Sequence, residues 1–323
     1  MLDRYGRVIN YLRISVTDRC NLRCCYCMPE GVQDVGMKNI LTFEEIWEIV
    51  RTGVSLGITH IRITGGEPLV RKGCVDLIRG IREISGVETI TMTTNGVLLG
   101  NYGKQLKEVG VDGVNISLDT LNPEEFYKIT GKRELQEVLA GIRAAKTAGL
   151  PVKLNAVNRK ELDPIPLVRY AQEENLPLRF IEMMPVGYGK KYVGRSNEEL
   201  RETLEAVCGK AECMTNREEL SRMGSGPAVY YQFSDLKVPV GFISAIHGKF
   251  CDTCNRVRLT AEGYLKLCLC YDEGEDLRRV LREGEKENLR TIMEQTIFQK
   301  PAAHCFEHPA EMTETHEMVK IGG

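Results

Sequence analysis

The sequence predicts an α/β fold built on a parallel sheet and followed by a smaller C-terminal region. Three observations carry this reading. Short β-branched runs recur between Tyr11 and Glu182, each is followed by a helical pattern, and the alternation fades after about Pro185. The runs span 11–16, 60–64, 89–93, 113–117, 152–156 and 178–182. Between the first two, Thr42 and Glu45 form a capping box ahead of Ile46, Ile49, Val50 and Val54, and Gly57 supplies the left-handed stop. Asn122-Pro123-Glu124-Glu125 opens another helix, with proline at its first position. Leu135, Val138, Leu139, Ile142 and Ala145 then make an apolar stripe that Gly149 ends. Right-handed crossovers let six such units close part of the way round as a barrel or spread as a doubly wound sheet. Pattern does not choose between them, but both place ligands at the loops leaving the C-terminal ends of the strands. Beyond Pro185, Gly187–Lys191 reads as an irregular connector, and a charged helix is expected around 277–289. The expected division is 1–184 for the βα domain and 185–323 for the smaller cap.

Composition narrows the function. Lys and Arg number 43 against 45 Asp and Glu in 323 residues, a net charge of −2. No global basic field recommends a nucleic acid polymer or an anionic membrane, so a polyanion would have to be held by a local cluster. No stretch approaches the roughly 20 apolar residues of a membrane span. The first residues also lack the apolar core of a signal peptide, so a cytoplasmic location is expected. Twelve cysteines are many for a reducing compartment, where disulfides are rare, so some of them should hold metal or do chemistry.

Cys20, Cys24 and Cys27 stand as C-x3-C-x2-C directly after the first strand. Three thiolates on one loop can hold three irons of a [4Fe-4S] cube and leave the fourth open. A zinc site or buried thiols are the alternatives; Cys25 is read as packing. Cys251, Cys254 and Cys268 form a second triplet, C-x2-C-x13-C, which suits a second cube with one open iron. Zinc held by four cysteines, including Cys270, competes with it. Arg256 and Arg258 follow this triplet and would share one face of a strand, two guanidinium forks suited to phosphate or carboxylate. Arg62 and Lys153 lie inside apparent strands, where burying a charge is costly and an anionic ligand would explain them.

The first loop, with Tyr26 before its last cysteine, resembles that of the radical S-adenosylmethionine enzymes, as does Gly65-Gly66-Glu67-Pro68 after the second strand. The two cysteine clusters together resemble one branch of that superfamily, the GTP 3′,8-cyclases of molybdenum cofactor biosynthesis. That likeness extends through Arg13–Cys20, Thr93-Thr94-Asn95-Gly96, Asn115–Asp119, Arg179–Glu182 and the final Ile321-Gly322-Gly323. It implies an incomplete (βα)6 radical-SAM barrel with a C-terminal cap carrying a second iron–sulfur cluster.

Carried over by position, the resemblance implies that Cys20, Cys24 and Cys27 hold the cluster that cleaves S-adenosylmethionine, and that Cys251, Cys254 and Cys268 hold a second [4Fe-4S] cluster facing the guanine. Tyr26, Gly66, Ser117 and Met184 would contact S-adenosylmethionine. Arg13, Arg62, Thr93, Lys153, Arg256 and Arg258 would contact GTP, with Arg179 a further phosphate ligand. Arg13 and the Gly322-Gly323 tail would order the substrate while a 5′-deoxyadenosyl radical removes the C3′ hydrogen and C3′ adds to C8. An electron donor such as flavodoxin or ferredoxin, hand-off to the next enzyme of the pathway, and a monomer or homodimer are the implied partners. His60 departs from the family, which carries lysine there. A peptide-modifying radical enzyme with an auxiliary cluster is one rival reading. A zinc-stabilised binding module is the other, and iron content separates it from both enzymes.

Overall fold

The computed structural model describes residues 1–31, 35–192, 194–224, 226–284 and 286–322. The expected βα series is present. β1 (Tyr11–Ser15) leads to α1 (Phe43–Ser55), β2 (His60–Thr64), α2 (Cys74–Arg82), β3 (Thr89–Thr94) and α3 (Leu99–Glu108). Next come β4 (Gly113–Ser117), α4 (Pro123–Thr130), α5 (Leu135–Thr147), β5 (Val152–Asn158), α6 (Ile165–Glu173) and β6 (Leu178–Glu182). The capping box at α1 forms reciprocally: Glu45 N donates to Thr42 Oγ1 at 3.2 Å and Thr42 N to Glu45 Oε2 at 2.7 Å. Asn122 Oδ1 caps α4 by accepting from the amides of Glu124 and Glu125.

The C-terminal region adds α7 (Asn197–Cys208), β7 (Ala211–Cys213), α8 (Arg217–Arg222), β8 (Val229–Phe233), β9 (Val240–Ile243), β10 (Arg256–Leu259), β11 (Tyr264–Lys266), β12 (Gly274–Asp276), α9 (Leu277–Arg282) and α10 (Leu289–Phe298). Its strands extend the same sheet at both ends, in the order β12-β11-β10-β1-β2-β3-β4-β5-β6-β9-β8-β7. β10 lies parallel to β1 and β9 parallel to β6, so eight strands rather than six run parallel. The expected boundary at 184/185 falls within this continuous sheet. The charged helix expected around 277–289 is α9, and α10 follows it, with Gly284 at φ 88° between them.

Leu12 and Ile14 of β1, Ile61 and Ile63 of β2, Ile90 and Met92 of β3, and Val114 and Ile116 of β4 are buried in the apolar core that also takes in the helices. The alternate residues face the other side, and that side is closed in. Arg62 of β2 lies near enough to Arg179 of β6 to lower its pKa, although four strand spacings of about 4.8 Å would hold them roughly 19 Å apart on a flat sheet. The sheet therefore curls into a partial barrel. Among the described residues no helix is long and apolar enough to cross a membrane.

Candidate active site

Register brings the side chains of the non-core face together. Arg258, Arg13, Arg62 and Thr91 are successive cross-strand partners over β10, β1, β2 and β3. Thr93, Asn115 and Lys153 form a second row, and Ser117, Asn155 and Arg179 a third. Two asparagines absent from the sequence-derived set orient the last arginine: Asn155 Oδ1 accepts from Arg179 Nε at 2.9 Å, and Asn115 Oδ1 accepts from Nη2. Their signal in the sequence was a polar residue interrupting an apolar run. Arg62 Nε donates to Thr91 Oγ1 at 3.1 Å, and Lys153 Nζ to the Met223 carbonyl at 2.6 Å. His60 faces the same interior beside Tyr11, their rings 6.2 Å apart.

These cations repel one another. Burial, then Arg258, Arg62 and Arg256, holds Arg13 well below the usual arginine range. Burial and Arg256 bring Arg258 down to about 10; burial, Arg179 and Arg62 bring Lys153 down to about 8. Thr93 Oγ1 is buried without a hydrogen-bond partner. Converging cations and an unsatisfied hydroxyl fit a polyanionic, hydrogen-bonding ligand.

The first thiol loop leaves the C-terminal end of β1. Cys20, Cys24 and Cys27 are free thiols. Burial pushes Cys20 up to about 11 and Cys27 up to about 12, and Cys24 is also raised well above the ordinary thiol range, so without a metal all three favour the thiol. Gly65 and Gly66 fit under this loop: Gly66 N donates to the Thr17 carbonyl at 2.7 Å and Glu67 N to the Arg19 carbonyl at 2.8 Å. A Cβ on Gly66 would lie 2.4 Å from the Arg19 oxygen. Gly66 thus serves the approach of two backbones, whatever else it touches. Fully buried Glu67 ties this loop to the end of β3, accepting from Thr94 Oγ1 at 2.9 Å and Asn95 N at 2.7 Å. Asn95 Nδ2 in turn approaches Cys20 Sγ at 3.7 Å. Tyr26 donates its hydroxyl to Asp119 at 2.8 Å, beyond the end of β4 where Ser117 is exposed. Met184, past β6, is half-buried against a small apolar cluster containing Val186 and Ile321. Cys25 Sγ accepts from Arg159 Nη1 at 3.1 Å, which occupies it apart from the other three.

The second triplet approaches from the opposite end, because Cys251 and Cys254 precede β10. Burial pushes Cys254 up, but Lys300 and Arg256 outweigh it and bring it down to about 7. Arg256 Nη2 lies 3.7 Å from that sulfur. The Cys270 sulfur is buried 3.0 Å from that of Cys305. The tail completes the interior, with Arg258 Nη1 donating to the Gly322 carbonyl at 2.6 Å. Gly323 lies outside the described residues. No three of the described His, Cys, Asp and Glu side chains close around a single metal point. A four-iron cube instead takes one thiolate on each iron, and three free thiols on one short loop suit that.

A partial parallel barrel with a C-x3-C-x2-C loop at the C-terminal end of its first strand is the scaffold of a radical S-adenosylmethionine protein. Comparisons agree. Residues 14–164 match the Radical SAM superfamily and residues 176–306 the family Molybdenum Cofactor Synthesis C. The chain is 42% identical over 330 residues to "GTP 3′,8-cyclase" of Clostridium perfringens (strain 13 / Type A), and 43% identical over 328 residues to that of Petrotoga mobilis, covering 100% of each chain. It belongs to the GTP 3′,8-cyclase family, and membership implies an iron–sulfur cluster and S-adenosylmethionine. Solved structures share the fold. Streptococcus suis SuiB bound to S-adenosylmethionine aligns with TM-score 0.65 at 14% identity, covering 97% of this chain and 77% of that one. anSMEcpe with bound AdoMet aligns with TM-score 0.58 at 16% identity, covering 92% and 82%.

Proposed function

We propose that this chain cyclises GTP to 3′,8-cyclo-7,8-dihydro-GTP in the first step of molybdenum cofactor synthesis, using two [4Fe-4S] clusters. The observation that carries the reading is the row of cations along the barrel interior, between two thiol triplets at opposite ends. Cys20, Cys24 and Cys27 hold the first cluster, and Cys251, Cys254 and Cys268 the second. Tyr26, Gly66, Ser117 and Met184 line the S-adenosylmethionine site. Bound there, cofactor and cluster would supply the radical chemistry, by reductive cleavage to 5′-deoxyadenosyl.

The rest is positioning and exclusion, since such a radical attacks almost any nearby C–H bond. Arg13, Arg62, Lys153, Arg179, Arg256 and Arg258 would neutralise and orient the triphosphate, Thr93 would gain the partner it lacks, and Arg13 with the Gly322-Gly323 tail, whose Gly322 carbonyl Arg258 holds, would order the ribose end for reaction at C3′. A flavodoxin or ferredoxin donates the electron, the dihydro product passes to the next enzyme, and the protein acts as a monomer or homodimer in the cytoplasm. A peptide-modifying reading finds no use for this many interior cations. Anaerobically reconstituted protein should carry about eight irons, as two four-iron clusters require. Reduced with S-adenosylmethionine and GTP, it should yield 5′-deoxyadenosine and cyclised nucleotide together. The first product without the second would refute the GTP assignment.

A further inference from the structure

The C-terminal residues 314–322 form a strap fastened at both ends. At its far end Arg258 holds the Gly322 carbonyl inside the barrel. At its near end Glu314, 1% exposed, is ion-paired with Lys266, 2% exposed. Glu314 N also donates to the Cys270 carbonyl at 3.2 Å, and Glu314 Oε1 accepts from His316 N at 2.6 Å. Lys266 is the cross-strand partner of Arg258, so two facing cations on β11 and β10 grip the two ends of one segment. Between the grips, Ile321 packs among Val186, Cys270, Cys305 and Phe306. Glu317 rides over Gly187, where a Cβ would lie 2.8 Å from the Glu317 Cα.

A buried ion pair is weak evidence for stability; its best-attested use is fixing register. Here register decides function. Met318–Ile321 forms a 3-10 turn, in which a slip of one residue advances the chain by about 2 Å and rotates it by about a third of a turn, enough to carry the Gly322 carbonyl out of hydrogen-bond reach of Arg258. We propose that Lys266 and Glu314 are positioning residues that set the register of the C-terminal strap, and thereby deliver the tail to the substrate. This rests on the GTP reading of the interior.

The test uses anaerobic holoenzyme and reads 5′-deoxyadenosine formed per cyclised nucleotide. Glu314→Gln should raise that ratio about tenfold, the size of one lost charge-assisted contact, with iron content unchanged. Lys266→Arg, which keeps the charge, should restore most of the coupling that Lys266→Met loses. In a chain lacking Gly322 and Gly323, Glu314→Gln should add nothing, because both changes act through the tail. Should the single variants fold poorly, the double variant Lys266→Met/Glu314→Met replaces the pair with apolar side chains and should be stable yet uncoupled. Coupling equal to wild type in that double variant, or both products falling together in Glu314→Gln, overturns the proposal. If wild-type enzyme makes no cyclised nucleotide, it is the GTP reading that fails. Amide exchange at Val319 and Ile321, which needs no substrate, still tests the strap: it should quicken in every pair variant except Lys266→Arg, and unchanged exchange overturns the proposal.

Discussion

Gly66→Ala tests the construction of the first thiol loop. The added methyl would sit 2.4 Å from the Arg19 carbonyl oxygen and 2.7 Å from that of Asp18, both backbone atoms with no rotamer to yield. Relief requires the loop to retreat by about 1 Å to reach ordinary contact distance. That retreat stretches the bonds from Gly66 N to Thr17 O and from Glu67 N to Arg19 O, 2.7 and 2.8 Å long. Two hydrogen bonds at about 1 kcal/mol each, plus about 1–3 kcal/mol for overpacking, give a loss of about 3–5 kcal/mol. Gly100→Ala is the control: nothing lies within 4 Å of its added Cβ in α3, so it should gain about 0.5–1 kcal/mol. Denaturant melts of the metal-free proteins measure both. After reconstitution, Gly66→Ala should hold about four irons rather than about eight and should not cleave S-adenosylmethionine. A wild-type melting midpoint with full cleavage would refute the reasoning.

Lys153 loses its proton near pH 8, below its ordinary 10.5, through burial and the Arg179 and Arg62 charges. The unfolded chain keeps that proton up to about 10.5, so between pH 8 and 10.5 this group makes the nucleotide-free protein more stable as pH rises. GTP needs the charged form, so KM for GTP should climb up to about tenfold per unit above pH 8. A KM profile for Lys153→Met with the same rise would contradict this. Cys270 and Cys305, 3.0 Å apart, should be joined by diamide, which takes up the two electrons and two protons released. Peptide mass spectrometry should find the 270–305 link, and its absence in unfolded-then-alkylated controls would show that the native approach makes it. Arg258→Ala should free the Gly322 carbonyl and raise 5′-deoxyadenosine per cyclised nucleotide while leaving iron content unchanged.

The βα series was legible because each strand and helix carries its own local signals, down to the Thr42–Glu45 box. The places of β9 and β10 in the sheet were not, since they are runs of four residues separated by irregular chain, and their partners β6 and β1 are distant in sequence. The same split governs the site. Arg62 and Lys153 announced themselves as charges inside strands, whereas Asn115, Asn155 and the strap anchors Lys266 and Glu314 acquire meaning only from cross-strand register. The approach of Cys270 to Cys305, 35 positions away, likewise appears only once the chain is folded.

One topological fact makes the two thiol triplets cooperate. The first follows β1 and the second precedes β10, and these adjacent strands run parallel with Tyr11 beside Arg256 and Arg13 beside Arg258. Had β10 run antiparallel to β1, both loops would emerge at one end of the barrel and the interior cations would face neither squarely. With the parallel pairing, five or six residues at about 3.3 Å each separate the levels of the two loops by roughly 17–20 Å, and Arg13, Arg62 and Arg258 fall near the middle of that span. Under the proposed function, a nucleotide drawn to those cations would be held between the ends, its two extremities pointing at different thiol loops. The direction of a four-residue strand thus decides whether one molecule can address both.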